Sequence, residues 1–185
     1  MTEPVIEEST SRRGRPVGPA AVRGGRAEPF DTFYLRELPS LVVLARALSG
    51  SSAAEDLAQE AMLAAYRRWD EVCRLDLPAA WVRRVCANLS TSLIRRRAAE
   101  ARALLRGGGM RTGYAELPPA DDAFWSEVRR LPRRQAQSIS LHYVYDMQVS
   151  DIAVTLGCSE STVKAHLVRG RAALARRLDI SEDAS

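Results

Sequence analysis

From Phe30 onward, apolar residues recur at three- and four-residue steps. Phe30, Phe33, Tyr34 and Leu38, then Leu41, Leu44, Ala45 and Leu48, trace one helical face, and Pro39 predicts a break of this helix into two pieces. Ser49-Gly50-Ser51 reads as a connector. Ser52-Ala-Ala-Glu55 has the spacing of a capping box opening a helix through Trp69. On that helix Ala54, Ala58, Ala61, Met62, Ala65 and Trp69 share one face, and Asp56, Gln59, Glu60, Leu63 and Arg67 share the other. Residues 70–78 read as an irregular loop ending at Pro78, a good first-turn residue. A helix from about Ala79 to Arg97 sets Val82, Val85, Cys86, Leu89 and Leu93 against Trp81, Arg84, Asn88, Thr91, Ser92 and Arg95. The apolar pattern fades from Ala98, and Gly107-Gly-Gly109 and Leu117-Pro-Pro119 mark a linker. Helical spacing returns with Phe124, Trp125, Val128 and Leu131; after Pro132 it places Ala136, Ile139, Leu141 and Tyr143 inward. Strand-like alternation and internal repeats are absent from the sequence. The expected fold is all-α: two small helical bundles joined by a flexible linker, the C-terminal one containing a helix-turn-helix.

The helix-turn-helix is the most specific pattern in the chain. In Val149-Ser-Asp-Ile-Ala-Val-Thr-Leu-Gly-Cys-Ser-Glu-Ser-Thr-Val-Lys-Ala-His-Leu-Val-Arg-Gly-Arg171, Ala153 permits a close helix crossing. Gly157 suits the left-handed residue that ends the first helix. Ser159 is placed to cap a second helix running to about Leu178, while Val163 and Leu167 return to the core. Lys164, His166, Arg169 and Arg171 then lie on or beside the outward face, the layout of a helix that enters a DNA major groove. An ordinary hairpin with a solvated basic face would not need Ala, Gly and Val together at these spacings.

Charge strengthens this picture. The net charge is +4, and all but one of the 27 basic residues are Arg. Between Trp81 and Arg111 stand eight arginines and a single acid, Glu100. Nucleic acid is therefore the first partner to consider. Residues 1–28, with Arg12-Arg-Gly-Arg-Pro and Arg23-Gly-Gly-Arg, read as a disordered basic tail: a tether to nucleic acid or, with more weight, a tolerated extension. The domain expectation is thus a tail over 1–28, a helical domain over 29–97, a linker over 98–121, a helix-turn-helix domain over 122–178 and a tail over 179–185. The start is acidic and lacks an apolar core, and no run is long enough to span a bilayer. With Cys73, Cys86 and Cys158 isolated from one another, the expectation is a cytoplasmic protein with buried reduced thiols and no membrane partner.

No catalytic constellation, metal site or cofactor motif emerges. His142 and His166 are the only histidines and have no metal-ligand partners at useful spacing; Gly107-Gly-Gly-Met lacks the residues of a phosphate loop. An enzyme is the least supported class. The helix over 79–97 offers different chemistry, since Arg84, Asn88, Thr91 and Arg95 step by four, three and four beside Trp81. Arginines hold phosphates, Asn reads base edges and an exposed aromatic stacks on an unpaired base. The stripe reads equally well as a solvated face with Trp81 in the core.

Taken together, Ala54–Trp69, Pro78–Arg97 and Leu131-Pro-Arg-Arg-Gln with the helix-turn-helix behind it resemble the extracytoplasmic-function (ECF) group of RNA polymerase sigma factors, in the sigma-70 superfamily, including its actinobacterial sigma-E-like type. The resemblance covers about residues 30–97 and 122–178. It implies that Asp56, Gln59, Glu60 and Leu63 bind core RNA polymerase. It implies minus-ten promoter contacts at Cys73, Arg74, Leu75, Asp76, Trp81, Arg84, Asn88 and Arg95, with Trp81 at a family position that often serves packing. At the minus-thirty-five element, Lys164, Ala165 and Val168 would face bases, Ser161, Thr162, Arg169 and Arg171 would hold phosphates, and His166 would lie beside them. An anti-sigma protein is a further implied partner. The chain departs from the family at Ser92, where Asp is frequent, at Gln148, where a capping Ser or Thr is frequent, and at His166, commonly Arg. A helix-turn-helix regulator of the LuxR-like type would account for 122–178 but leave the Asp56/Glu60 face without purpose, and a helical adaptor would leave the arginines incidental.

Overall fold

The computed structural model describes residues 28–106 and 120–182, and among these every regular element is helical. The helices are α1 (Phe30–Ser49), α2 (Ala54–Tyr66), α3 (Trp69–Val72), α4 (Pro78–Arg106), α5 (Ala120–Arg129), α6 (Arg133–Tyr145), α7 (Val149–Leu156) and α8 (Glu160–Glu182), with one 3-10 turn at Ser51–Ala53. The basic N-terminal tail, the Gly107–Gly109 and Leu117–Pro119 linker signals and the last three residues lie outside the described residues.

The helix α1 stays continuous through Pro39, against the expected break. Pro39 is on the exposed side, so the carbonyl that loses its helical partner faces water, which can take the bond. The opposite side buries Phe33, Leu41, Leu44 and Leu48 completely or nearly so, each side chain contributing roughly 1.5–3 kcal/mol. The Ser52 capping box does not form. The 3-10 turn intervenes, no side chain caps α2, and its N-cap is Ala53. The helix expected to reach Trp69 ends at Tyr66, and α3 occupies the start of the expected loop. Ala54, Ala58, Ala61 and Ala65 are wholly buried, and these small side chains let α2 lie close to α1 and α4, its two main neighbours.

Two boundaries move. Helix α4 continues nine residues past Arg97 to Arg106, and α8 runs past Leu178 to Glu182. The residues from Ala98, Arg-rich and Ala-rich, are strong helix formers that need no buried face to stay helical. The two bundles pack against each other. Helix α1 packs on α5 and α6, α4 packs on α6 and α7, and one hydrophobic cluster runs from Phe33 through Cys86 to Ile139 and Leu167. The expectation of three buried thiols holds for Cys86 alone, since Cys73 and Cys158 are half-buried; all three are free. Burial pushes the Cys86 thiol up to about 12, with Ser90 opposing.

The helix-turn-helix forms as read. Gly157 is left-handed, at φ 66 and ψ 47, and its N–H donates to the Ala153 carbonyl at 2.8 Å. Ser159 Oγ accepts from the Thr162 N–H at 3.2 Å, capping α8. Val163 and Leu167 are buried beneath it.

Candidate nucleic-acid and partner interfaces

Helix α2 presents Asp56, Gln59, Glu60 and Leu63 to solvent, as its period requires. The structure adds a floor that periodicity alone did not connect to this face. Phe30 and Tyr34 of α1, with Met62, complete a groove of about 440 Å³. Phe30 is held there by Tyr66 and Trp69, at ring-centroid distances of 5.0 and 5.2 Å. Leu63 is 44% exposed, so an acidic rim surrounds apolar surface. That mixture suits a protein partner more than a reaction.

The residues on and before α4 divide three ways. Cys73, Arg74, Leu75 and Asp76 lie on the turn between α3 and α4, with Arg74 and Asp76 exposed and Cys73 and Leu75 half-buried. Trp81 is half-buried against the core, and the Arg68 guanidinium sits 5.8 Å from its ring centroid. Packing thus takes most of this ring. Arg84 and Asn88 are half-buried and hydrogen-bonded within the protein. Arg84 Nε donates to the Thr155 carbonyl and Nη2 to the Val154 carbonyl at 2.7 Å, both at the end of α7. Asn88 Oδ1 accepts from Arg133 Nη2 at 2.5 Å and from Gln137 Nε2 at 3.0 Å. Thr91, counted with the stripe, is buried and donates to the Ala87 carbonyl at 2.8 Å. Arg95 is exposed and lines a groove of about 630 Å³ with Arg96, Arg102, Arg129 and Arg130. The polar stripe is therefore an internal contact at one end and a basic groove at the other. Arg133, Arg129 and Arg130, which join it across the fold, carried no sequence signal linking them to α4.

On α8, Ser161, Lys164, Val168, Arg169 and Arg171 are exposed, and Thr162, Ala165 and His166 are half-buried. The Ser159 hydroxyl lies 2.9 Å from Ser161 Oγ and 2.8 Å from Thr162 Oγ1, so three hydroxyls cluster at the helix N-terminus, the positive end of its dipole. Lys164 is 3.9 Å from Glu160, and Arg171 lies 5.8 Å from the Tyr143 ring centroid. His166 turns partly inward, with Nδ1 buried and unpaired. Burial holds its imidazole below the usual value, and Arg134 and Arg169 push the same way. Among the described residues no group of His, Cys, Asp and Glu is placed to hold a metal ion, and no helix is long and apolar enough to cross a membrane.

Comparison with known proteins places two matches in order along the chain. Residues 33–100 match the family Sigma-70 region 2, and residues 121–174 match Sigma-70, region 4. The RNA polymerase sigma-E factor of Streptomyces avermitilis is 30% identical over 127 residues, covering 68% of this chain and 71% of that protein. The ECF RNA polymerase sigma factor EcfG of Rhodopseudomonas palustris is 28% identical over 159 residues, covering 80% and 86%. Among solved structures, the sigma factor RpoE of Bartonella quintana, in complex with the anti-sigma factor NepR, superposes with a TM-score of 0.62 at 25% identity, over 82% of this chain and 97% of that one.

Proposed function

The chain belongs to the sigma-70 family of RNA polymerase sigma factors, in its ECF group, and directs promoter recognition; we propose that it does so through three surfaces. The first is the α2 face, where Asp56, Gln59, Glu60 and Leu63 grip core RNA polymerase over the Phe30/Tyr34 floor. The second is the minus-ten surface of Cys73, Arg74, Leu75, Asp76, Trp81, Arg84, Asn88 and Arg95. The third is α8, whose Lys164, Ala165 and Val168 face minus-thirty-five bases while Ser161, Thr162, Arg169 and Arg171 hold phosphates, with His166 beside them. The functional units are the two matched regions, carried by α1–α4 and α5–α8.

The observation that carries this reading is the exposed pairing of Asp56 and Glu60 with Leu63 above an apolar groove, in the half that precedes the helix-turn-helix. A LuxR-like regulator has no use for that face. Opening a promoter costs unstacking, least at pyrimidine–purine steps, and capturing an unstacked base returns part of that cost. The chain supplies binding and positioning; bond formation belongs to the polymerase, so the chain is not itself an enzyme and acts in the cytoplasm, where polymerase and promoter meet. An anti-sigma protein is a further partner, by analogy with the complex of the Bartonella relative.

Run-off transcription with purified core polymerase and a candidate promoter tests the reading. Asp56→Arg with Glu60→Arg should abolish core binding and transcripts with the helical fold intact, because both side chains are exposed. Transcription unchanged by the double reversal would sink the assignment of the α2 face.

A further inference from the structure

We propose that α4, α5 and α6 together form a seat for a compact polyphosphate with a free end, the triphosphate of a nucleotide or an inorganic chain of the same chemistry.

Two connected cavities make the seat. The outer one is the groove of about 630 Å³ lined by Arg95, Arg96 and Arg102 of α4 and by Arg129 and Arg130 of α5. The inner one is a recess of about 30 Å³ with Leu48, Ile94, Leu131 and Ala136 among its walls. Arg95 and Arg129 line both, and Arg133 of α6 lines the recess. Arginines from three helices thus converge on one small space, and among the described residues no carboxylate lines either cavity.

The positive charge there is crowded. The Arg133 guanidinium is held below its usual value by burial first, then by Arg134 and Arg95. Arginine does not give up its proton in proteins, so this records repulsion between like charges in a partly desolvated place. Arg133 Nη2 donates to Asn88, while its Nε is buried without a partner. A bound anion relieves such repulsion. Arg96 is engaged from outside by Glu100 at 2.9 Å, an exposed pair of little worth that a phosphate can displace.

The sizes decide which phosphate fits. A water-sized atom needs about 10–15 Å³, so the recess takes roughly one or two oxygens. A strand phosphodiester is flanked by sugars on both sides and cannot enter end-on, whereas a terminal phosphate presents three free oxygens. Outside the recess, Arg95 and Arg102 stand about 10 Å apart along α4, a longer run than one phosphate covers. Recess and groove together select a short chain of phosphates over a nucleic-acid strand. On the promoter reading of Arg95, the two ligands exclude each other at that residue.

Calorimetric titration of the full chain at about 0.15 M salt tests the seat. Tripolyphosphate should bind one per chain, and inorganic phosphate roughly tenfold or more weakly, for want of the outer arginine contacts. ATP matching tripolyphosphate assigns the seat to a nucleotide; weaker ATP binding assigns it to an inorganic chain. Arg95→Gln with Arg102→Gln, both exposed, should weaken tripolyphosphate roughly tenfold to a hundredfold, by the worth of charged hydrogen bonds. Arg67→Gln with Arg176→Gln removes equal charge at exposed sites elsewhere and should leave binding unchanged. Ala136→Val narrows the recess without touching charge and, in protein whose circular dichroism matches the parent, should also weaken it. Equal weakening by the two arginine pairs means diffuse attraction to a basic protein and overturns the seat. So does a 5′-hydroxyl oligonucleotide that binds as tightly as tripolyphosphate and loses as much in Arg95→Gln with Arg102→Gln. The titration involves neither polymerase nor promoter, so its failure leaves the promoter reading standing.

Discussion

Gly170→Ala sets two calculable effects against each other in the helix that carries the proposed minus-thirty-five contacts. Gly170 sits inside α8, where alanine is favoured over glycine by roughly 1 kcal/mol. An added Cβ would stand 3.0 Å from Ile139 Cγ1 and 3.3 Å from its Cδ1. Ile139 is wholly buried in α6, so it has no open space to move into. Overpacking of this kind costs about 1–3 kcal/mol. The clash outweighs propensity, and the net loss should be about 1 kcal/mol, a fall in Tm of roughly 2–4 °C. Thermal unfolding followed by far-UV circular dichroism reads this directly. A double-mutant cycle with Ile139→Val assigns the cause: that change costs roughly 0.5–1.5 kcal/mol in a well-packed parent and should cost less in the Gly170→Ala background, where it relieves the crowding. If Gly170→Ala raised Tm, α8 would be free to ride away from α6, and the register assigned to Lys164 and Arg169 would be wrong.

Glu37 is nearly buried and accepts from Arg83 at 3.0 Å and Arg36 at 3.1 Å, so Glu37→Ala should cost about 2 kcal/mol, most of it from the better-buried Arg83; denaturant unfolding that shows no change refutes this. Because burial holds His166 below its ordinary 6.5, the unfolded chain binds more protons just below that pH. Its contribution to stability should be present above about pH 6.5 and fade as pH falls through the depressed folded value, a trend that His166→Gln should flatten. NMR titration of the His166 ring with a midpoint above 6.5 would contradict the sign. Lys164→Glu should weaken promoter use with unchanged core affinity and a stability change within about 0.5 kcal/mol, since its exposed pairing with Glu160 at 3.9 Å is worth little; an unaltered promoter response in footprinting rejects the placement of the α8 contacts.

The parts of this fold that were legible in the sequence are those decided within ten residues or by helical period. Ala153, Gly157 and Ser159 determine the turn through one left-handed backbone residue and one cap, and both form. The α2 faces follow from spacing, and Asp56, Gln59, Glu60 and Leu63 are all exposed. Pro39 misled because its cost depends on which side of the helix it falls, something the residue alone does not state. Ser52 misled because it lies within the 3-10 turn, which leaves Ala53 as the residue at the N-cap of α2. The end of α4 was missed because amphipathic fading signals loss of a buried face, not loss of helix.

Arg84 and Asn88 show a deeper limit. Their partners stand 70 to 71 and 45 to 49 positions away, so no local pattern separates a solvated stripe from a docked one. The ambiguity follows from the chemistry of nucleic-acid binding itself. A side chain that must hold a phosphate or read a base edge cannot be apolar, and it carries donors and acceptors that other groups can take in the unbound chain. In a small helical protein the nearest competing acceptors are the unpaired carbonyls at helix ends. Arg84 meets those carbonyls at the end of α7, where Gly157 leaves room for its guanidinium. The residue types suited to promoter contact are thus the same ones that hydrogen-bond across the two halves of the fold.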